Sequence, residues 1–145
     1  MVKELQNILH SEIPLTKEIG IMAREYTGDS LTLHAPLENN LNHKNTAFGG
    51  SLYSVSVLSG WGLLTLLLKE HGLTGDIVIQ ESNTQFLKPV EFDLSAKCAF
   101  ESDEQKERFL KMFKRKGVAR IELISRVIHE NEPHVVFKGS YVVHA

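Results

Sequence analysis

The chain has 145 residues, 42% of them apolar and 23% charged, and its 16 Lys and Arg against 18 Asp and Glu leave a formal net charge of −2. That usage is ordinary for a globular domain and argues against a disordered or fibrous chain, the length fits one domain over residues 1–145, and the basic footprint of a nucleic-acid binder is absent. The single cysteine, Cys98, excludes an internal disulfide framework and a multi-cysteine zinc site, and it fits a reducing compartment.

In chain order, Val2, Leu5, Ile8 and Leu9 fall at helical spacing and predict a short amphipathic helix over 2–10, ended before Pro14. Residues 18–26 read as a strand. Thr27-Gly28-Asp29 is a turn signal, and 30–37 alternates with Leu31, Leu33, Ala35 and Leu37 on one face, which completes a β-hairpin. Residues 38–48 form a polar loop. Gly49-Gly50-Ser51 then opens a long apolar helix that stops at Lys69-Glu70-His71-Gly72.

Residues 76–90 begin as an apolar strand (Ile77, Val78, Ile79). They continue through six polar residues, Gln80 to Gln85, to Phe86-Leu87, with Pro89 closing the strand or marking an edge. Leu94, Ala96, Cys98 and Phe100 alternate inward along 92–100. A helix over 102–116 carries Ser102 and Gln105 at capping-box spacing, acidic residues first, and Lys111, Lys114, Arg115 and Lys116 last, before Gly117. Strands over 118–128 and 135–143 flank the turn Asn131-Glu132-Pro133.

From Asn45 to Leu68 runs a stretch of 24 residues without a charge, long enough for a bilayer. Asn45, Thr46, Ser51, Ser54, Ser56, Ser59 and Thr65 interrupt it, so a buried helix is expected and no membrane partner. The N-terminal Met1–Gln6 segment lacks the apolar core of a signal peptide, which leads to the expectation of a cytoplasmic protein. A helix apolar on nearly every side must be surrounded by protein. Here only a sheet curved around it could do so, which gives an α+β architecture with a mainly antiparallel sheet.

Chemistry is expected where the loop 38–50 feeds this helix. Two glycines at a helix start leave backbone N–H groups unshielded at the positive end of the dipole, where a carbonyl, a phosphate or a developing oxyanion can bind. The same pair also fits a helix that needs small residues where it enters a tight sheet. Ser51 sits near this start, but no Gly-x-Ser-x-Gly elbow marks a nucleophile. The seven histidines show no metal-binding spacing, so no metal is expected. Phe48, Tyr53, Trp61 and Phe86 fit either a core or an acyl channel.

The segment Asn42-His43-Lys44-Asn45-Thr46-Ala47-Phe48-Gly49-Gly50-Ser51-Leu52-Tyr53 resembles the Asn…His-Gly-Gly signature of hotdog-fold thioesterases. Phe48 to Ser54 and Ser59-Gly60-Trp61-Gly62 resemble the YiiD C-terminal thioesterase family more closely. Thr84 to Val90 resembles the hotdog strand that ends in Leu-x-Pro. The resemblance covers about Glu18 to Ala145 and implies a hotdog fold, a curved antiparallel sheet wrapped around one long central helix.

Carried over residue by residue, the resemblance gives Asn42 the positioning of thioester or water and Gly49 the oxyanion-hole N–H. Phe48 stands where the signature has histidine, and Val57 where relatives carry the acidic base. Glu81, the only ionised group between Asp76 and Lys88, is therefore the expected base acting across a dimer, with Asn83 at i+2 as its hydrogen-bond partner. Phe48, Gly50, Ser51, Asn83 and Phe86 are the expected substrate contacts.

The function this implies is hydrolysis of an acyl thioester of coenzyme A or acyl carrier protein, with no cofactor, by a homodimer or a dimer of dimers. The basic cluster Lys111–Lys116 offers a surface for coenzyme A phosphates or an acidic carrier protein. A non-catalytic acyl-binding module is the alternative. A hotdog dehydratase would need a His and acid pair, for which only His43 or His71 could serve.

Overall fold

The computed structural model describes all 145 residues. Its central element is helix α3, Gly49–Glu70. It is preceded by α1 (Val2–Glu12), α2 (Leu15–Ile19), β1 (Met22–Tyr26), β2 (Ser30–Ala35) and a 3-10 turn over Leu37–Asn40. It is followed by β3 (Asp76–Phe86), β4 (Leu94–Ala99), α4 (Asp103–Lys116), β5 (Val118–His129) and β6 (Glu132–His144). The six strands form one sheet in the order β1-β2-β4-β5-β6-β3, and every neighbouring pair is antiparallel.

The sheet buries α3 as its composition demands. Leu63, Leu64, Leu66 and Leu67 have no exposed surface, and one cluster of 30 buried apolar residues joins α3 to the inner faces of β2, β4, β5 and β6. The helix is long and apolar enough to cross a membrane by length and composition. It is nevertheless two-thirds buried over its most apolar window, and the sheet supplies that cover. Close approach requires small residues on α3. A Cβ at Gly60 would lie 2.2 Å from Tyr141 Oη, and one at Gly62 would lie 2.7 Å from Leu31 and 3.0 Å from Leu5 of α1.

The strand expected over 18–26 is corrected at its start. Residues 15–19 are helical, and β1 begins only at Met22. The cause is local: Pro14 sits at the N-cap, and Gly20 closes the helix in the left-handed region (φ 78°), its N–H donating to the carbonyls of Thr16 and Lys17. Thr16 Oγ1 donates to Leu9 O at 2.9 Å and ties this turn to α1. Ser102 caps α4 as expected, and the return bond of Gln105 goes to Glu101, one residue before the cap. Ser102 Oγ accepts from Gln105 N–H at 3.1 Å, and Gln105 Oε1 accepts from Glu101 N–H at 2.7 Å.

Two strands lie at edges, β1 and β3, and β3 is the longer at 11 residues. Its register carries an irregularity. Ile79 pairs with Tyr141 and Glu81 with Ser140, so Gln80 is the extra residue of a β-bulge.

Candidate active site

The loop that enters α3 is braced by its own amides. Asn40 is buried, and its Nδ2 donates to Ile19 O at 2.9 Å and Pro36 O at 2.7 Å. Asn42 Oδ1 accepts from Lys44 N–H at 2.8 Å and Thr46 N–H at 3.1 Å. Its Nδ2 donates to Thr46 Oγ1 at 2.8 Å and Ala47 O at 3.3 Å. An amide has two donors and two acceptor lone pairs, so Asn42 is saturated within its loop. In the folded loop Asn42, expected to orient substrate or water, has its amide engaged with Lys44, Thr46 and Ala47 and holds the loop's shape. Asn45 sits at φ 63°, a conformation Asn tolerates better than most residues. Ala47 N–H donates to Val90 O at 2.8 Å and Phe48 N–H to Asn40 O at 2.8 Å, which anchors the last loop residues.

Helix α3 begins without a side-chain cap. Phe48, the N-cap, is extended at φ −65° and ψ 133°, and its carbonyl accepts from Ser51 N–H at 3.0 Å and Leu52 N–H at 3.1 Å. The N–H groups of Gly49 and Gly50 have no acceptor in the protein. They are the two free donors at the positive end of a 22-residue helix. Ser51 N–H is already engaged and its residue is buried, so the second donor is Gly50.

A cleft of about 320 Å³ opens at this point, lined by Asn42, Thr46, Ala47, Gly49, Leu52 and the segment Phe86–Val90. The structure thus brings Asn42, Gly49 and Phe86 together. Phe86 closes over the helix start, with ring atoms 3.8 and 3.9 Å from where a Gly49 Cβ would lie. Phe48 turns outward. It is 55% exposed, and its ring covers Gly50, where a Cβ would meet it at 2.4 Å. Sequence reasoning passed over Thr46 and Leu52. Thr46 Oγ1 accepts from Asn42, so its hydroxyl proton is left without a protein acceptor at the cleft wall. Lys88 is the one charged residue of the lining, and its ammonium pairs with Glu132.

Glu81 and Asn83 do not join this cleft. Ser82, Thr84 and Phe86 stand opposite Gly139, Phe137 and Val135, the buried side of β6. Glu81 and Asn83 stand opposite Ser140 and Lys138, on the outer face of the sheet. The bulge at Gln80 causes this: strict alternation from Ile77 and Ile79 would carry Glu81 inward, and one extra residue reverses the phase. No carboxylate or imidazole lines the cleft.

Solved structures share this architecture across nearly the whole chain, which is therefore a hotdog-fold protein of the thioesterase type. A protein of unknown function from Chlorobaculum tepidum is 34% identical over 99% of this chain and 93% of its own, with a TM-score of 0.92. A putative thioesterase from Shewanella oneidensis is 27% identical over 99% of this chain and 97% of its own, with a TM-score of 0.90. A probable thioesterase from Pseudomonas aeruginosa, 16% identical over 99% and 95% with a TM-score of 0.83, shares the fold. The chain belongs to the family described as Putative thioesterase (yiiD_Cterm), which it matches over residues 2–145.

Proposed function

We propose that this protein hydrolyses acyl thioesters carried on coenzyme A or acyl carrier protein, and that it works as a homodimer or a dimer of dimers. The observation that carries the reading is the acceptor-free N–H of Gly49 in the cleft where α3 begins, with the equally acceptor-free N–H of Gly50 next to it in the chain. A thioester carbonyl oxygen placed there receives two hydrogen bonds and the helix dipole, and both strengthen as water attacks and the oxygen becomes anionic. The nucleophile is hydroxide drawn from water: the new C–O bond forms, the C–S bond breaks, the thiolate leaves, and the carboxylic acid produced gives its proton to that thiolate. Thr46 offers a third donor, and Leu52 and Phe86 an apolar wall for the acyl group.

The β3 edge supports the dimer. It is 11 residues long, unpaired on one side, and carries the half-exposed apolar residues Val78, Ile79 and Phe86. Antiparallel pairing with a second β3 satisfies its backbone groups around a two-fold axis. In such a continuous sheet Glu81 and Asn83 stay on the outer face in both copies. The base role expected of Glu81 is therefore not part of the mechanism proposed. Polarisation and binding alone leave an acceleration of about 10³–10⁴ over water in enzymes stripped of their base, and a slow hydrolase of that order is what these residues support.

One observation favours a second reading, an acyl-thioester binding module: no group in the cleft can accept a proton from water. Thiol release from acyl-CoA and acyl carrier protein thioesters between pH 6 and 9 separates the two. A rate that climbs tenfold per pH unit supports attack by hydroxide in a site without a base, and a plateau would reveal a titrating base. No turnover, with thermal stabilisation by the thioester, would establish the binding module.

A further inference from the structure

Lys88 differs from everything else in the cleft wall. It is the one charged residue of the lining, and no carboxylate shares that lining. Its backbone is fixed from both sides. The N–H groups of Leu87 and Lys88 donate to His134 O at 2.8 and 3.2 Å, and Val90 O accepts from Ala47 N–H at 2.8 Å. Pro89 stiffens the segment between them, so the Lys88 side chain leaves a rigid wall. Its ammonium pairs with Glu132, and this hydrogen-bonded pairing holds the Glu132 carboxyl below its ordinary range. Glu132 lies outside the lining, and the two side chains are 51% and 57% exposed. An exposed pair of this kind contributes little to stability, so the ammonium can exchange Glu132 for another carboxylate at small cost.

A thioester whose carbonyl oxygen sits on the Gly49 N–H offers the cleft two arms. The pantetheine arm is uncharged as far as its phosphate, which lies roughly 15 Å from the sulfur at the ~1.2 Å per bond of an extended chain. The cleft, at about 320 Å³, is equivalent to a sphere about 8 Å across, so that phosphate falls outside it. A carboxylate at the end of a short acyl chain falls within it: three methylenes place it roughly 5 Å from the thioester carbonyl. Leu52 and Phe86 supply apolar surface for the methylenes between. We infer that Lys88 selects thioesters whose short acyl chain ends in a carboxylate, such as glutaryl, over neutral acyl groups of the same size. The inference rests on the reading of the cleft as a thioester site. The substrate carboxylate replaces Glu132 on the ammonium, whereas a neutral acyl group leaves that pair intact and gains nothing from it.

The test compares glutaryl-CoA with 5-methylhexanoyl-CoA, in which an isopropyl group of the same shape replaces the carboxylate. The readout is the ratio of their kcat/KM values, corrected for uncatalysed hydrolysis, with Tm measured on each variant. Wild type should favour glutaryl-CoA. Lys88→Met should lower the ratio about five- to tenfold, the effect of one charge-assisted hydrogen bond at a half-exposed site. Lys88→Arg should keep the ratio, and Glu132→Gln, which removes the competing carboxylate, should raise it. A wild type that favours 5-methylhexanoyl-CoA, or an unchanged ratio in Lys88→Met, overturns the inference. So does an equal loss on both substrates, which would assign the ammonium to the pantetheine arm they share. In each of these cases turnover by wild type leaves the thioesterase reading standing. If wild type hydrolyses neither, the thioesterase reading fails, and thermal stabilisation by the same two thioesters decides the subsite. A larger shift with glutaryl-CoA that Lys88→Met abolishes keeps it, and equal shifts or none end it.

Discussion

Gly49→Pro removes a backbone donor that side-chain substitutions ordinarily cannot reach. Gly49 is the first residue of α3, and its N–H has no acceptor, so proline at this position forfeits no hydrogen bond of the fold. Phe48, at φ −65° and ψ 133°, already has the extended backbone that a residue before proline requires. A Cβ at 49 meets Phe86 at 3.8 Å, an ordinary contact. Restriction of the unfolded chain stabilises such a variant by about 0.4–1 kcal/mol. At about 2–4 °C per kcal/mol for a chain of this size, Tm should hold or rise by up to about 4 °C. Activity should move the other way, since loss of one oxyanion donor costs about 10²–10³ in kcat. Gly49→Ala is the matched control, because it adds the same Cβ and keeps the N–H. Thiol release at saturating acyl-CoA is compared across the two variants, with Tm measured on the same samples. A folded Gly49→Pro that hydrolyses as fast as Gly49→Ala would refute the oxyanion role. A Gly49→Pro that fails to fold would refute the description of the helix start.

Glu81→Gln should lower kcat by less than tenfold; a general base contributes about 10²–10⁴, so a loss of that size would return Glu81 to the mechanism. Asn42→Ala deletes four hydrogen bonds within the loop and should destabilise the fold by about 1–3 kcal/mol, read as a lower urea midpoint at unchanged m-value. An undiminished midpoint would mean that the loop holds its shape without it. Burial pushes the Cys98 thiol up from its ordinary 9.0 to about 11. A thiol reagent at pH 8 should therefore leave the native protein unmodified and label one equivalent in denaturant. Because the folded value is the higher one, stability is complete below the unfolded pKa and is lost as pH rises through 9 toward 11. A denaturation midpoint that is flat from pH 8 to 10.5 would contradict this.

Much of the fold was legible because local chemistry and burial agreed. Ser102, Gln105 and Gly117 bracket α4 by capping alone. The uncharged run after Asn45 demanded a protein envelope, and the alternation at Leu31, Leu33 and Ala35 identified one wall of it. The start of β1 was illegible for a specific reason. Ile19 and Ile21 alternate as a strand would, and both are buried, yet Pro14 and Gly20 close one helical turn around the first of them. An apolar pattern five residues long does not separate the two periods.

The site was legible along the chain but not across it. Gly49, Asn42 and Phe86 could be named because motif spacing follows the backbone, and the cleft gathers all three. Their roles depended on hydrogen bonds that spacing does not encode. The same amide that reads as a substrate contact in sequence is consumed by Lys44, Thr46 and Ala47 in the folded loop. Glu81 shows the sharper limit. A β-bulge has no residue signature here, since Gln80 is one polar residue among six, yet it decides which half of that polar run meets the helix. The half turned inward is Ser82 and Thr84, neutral hydroxyls, and the half turned outward holds the carboxylate. One inserted residue thus decides whether hydroxyls or a carboxylate face the helix along β3. This is why the pH dependence of thiol release, more than any single substitution, tests whether the site described here performs the reaction proposed for it.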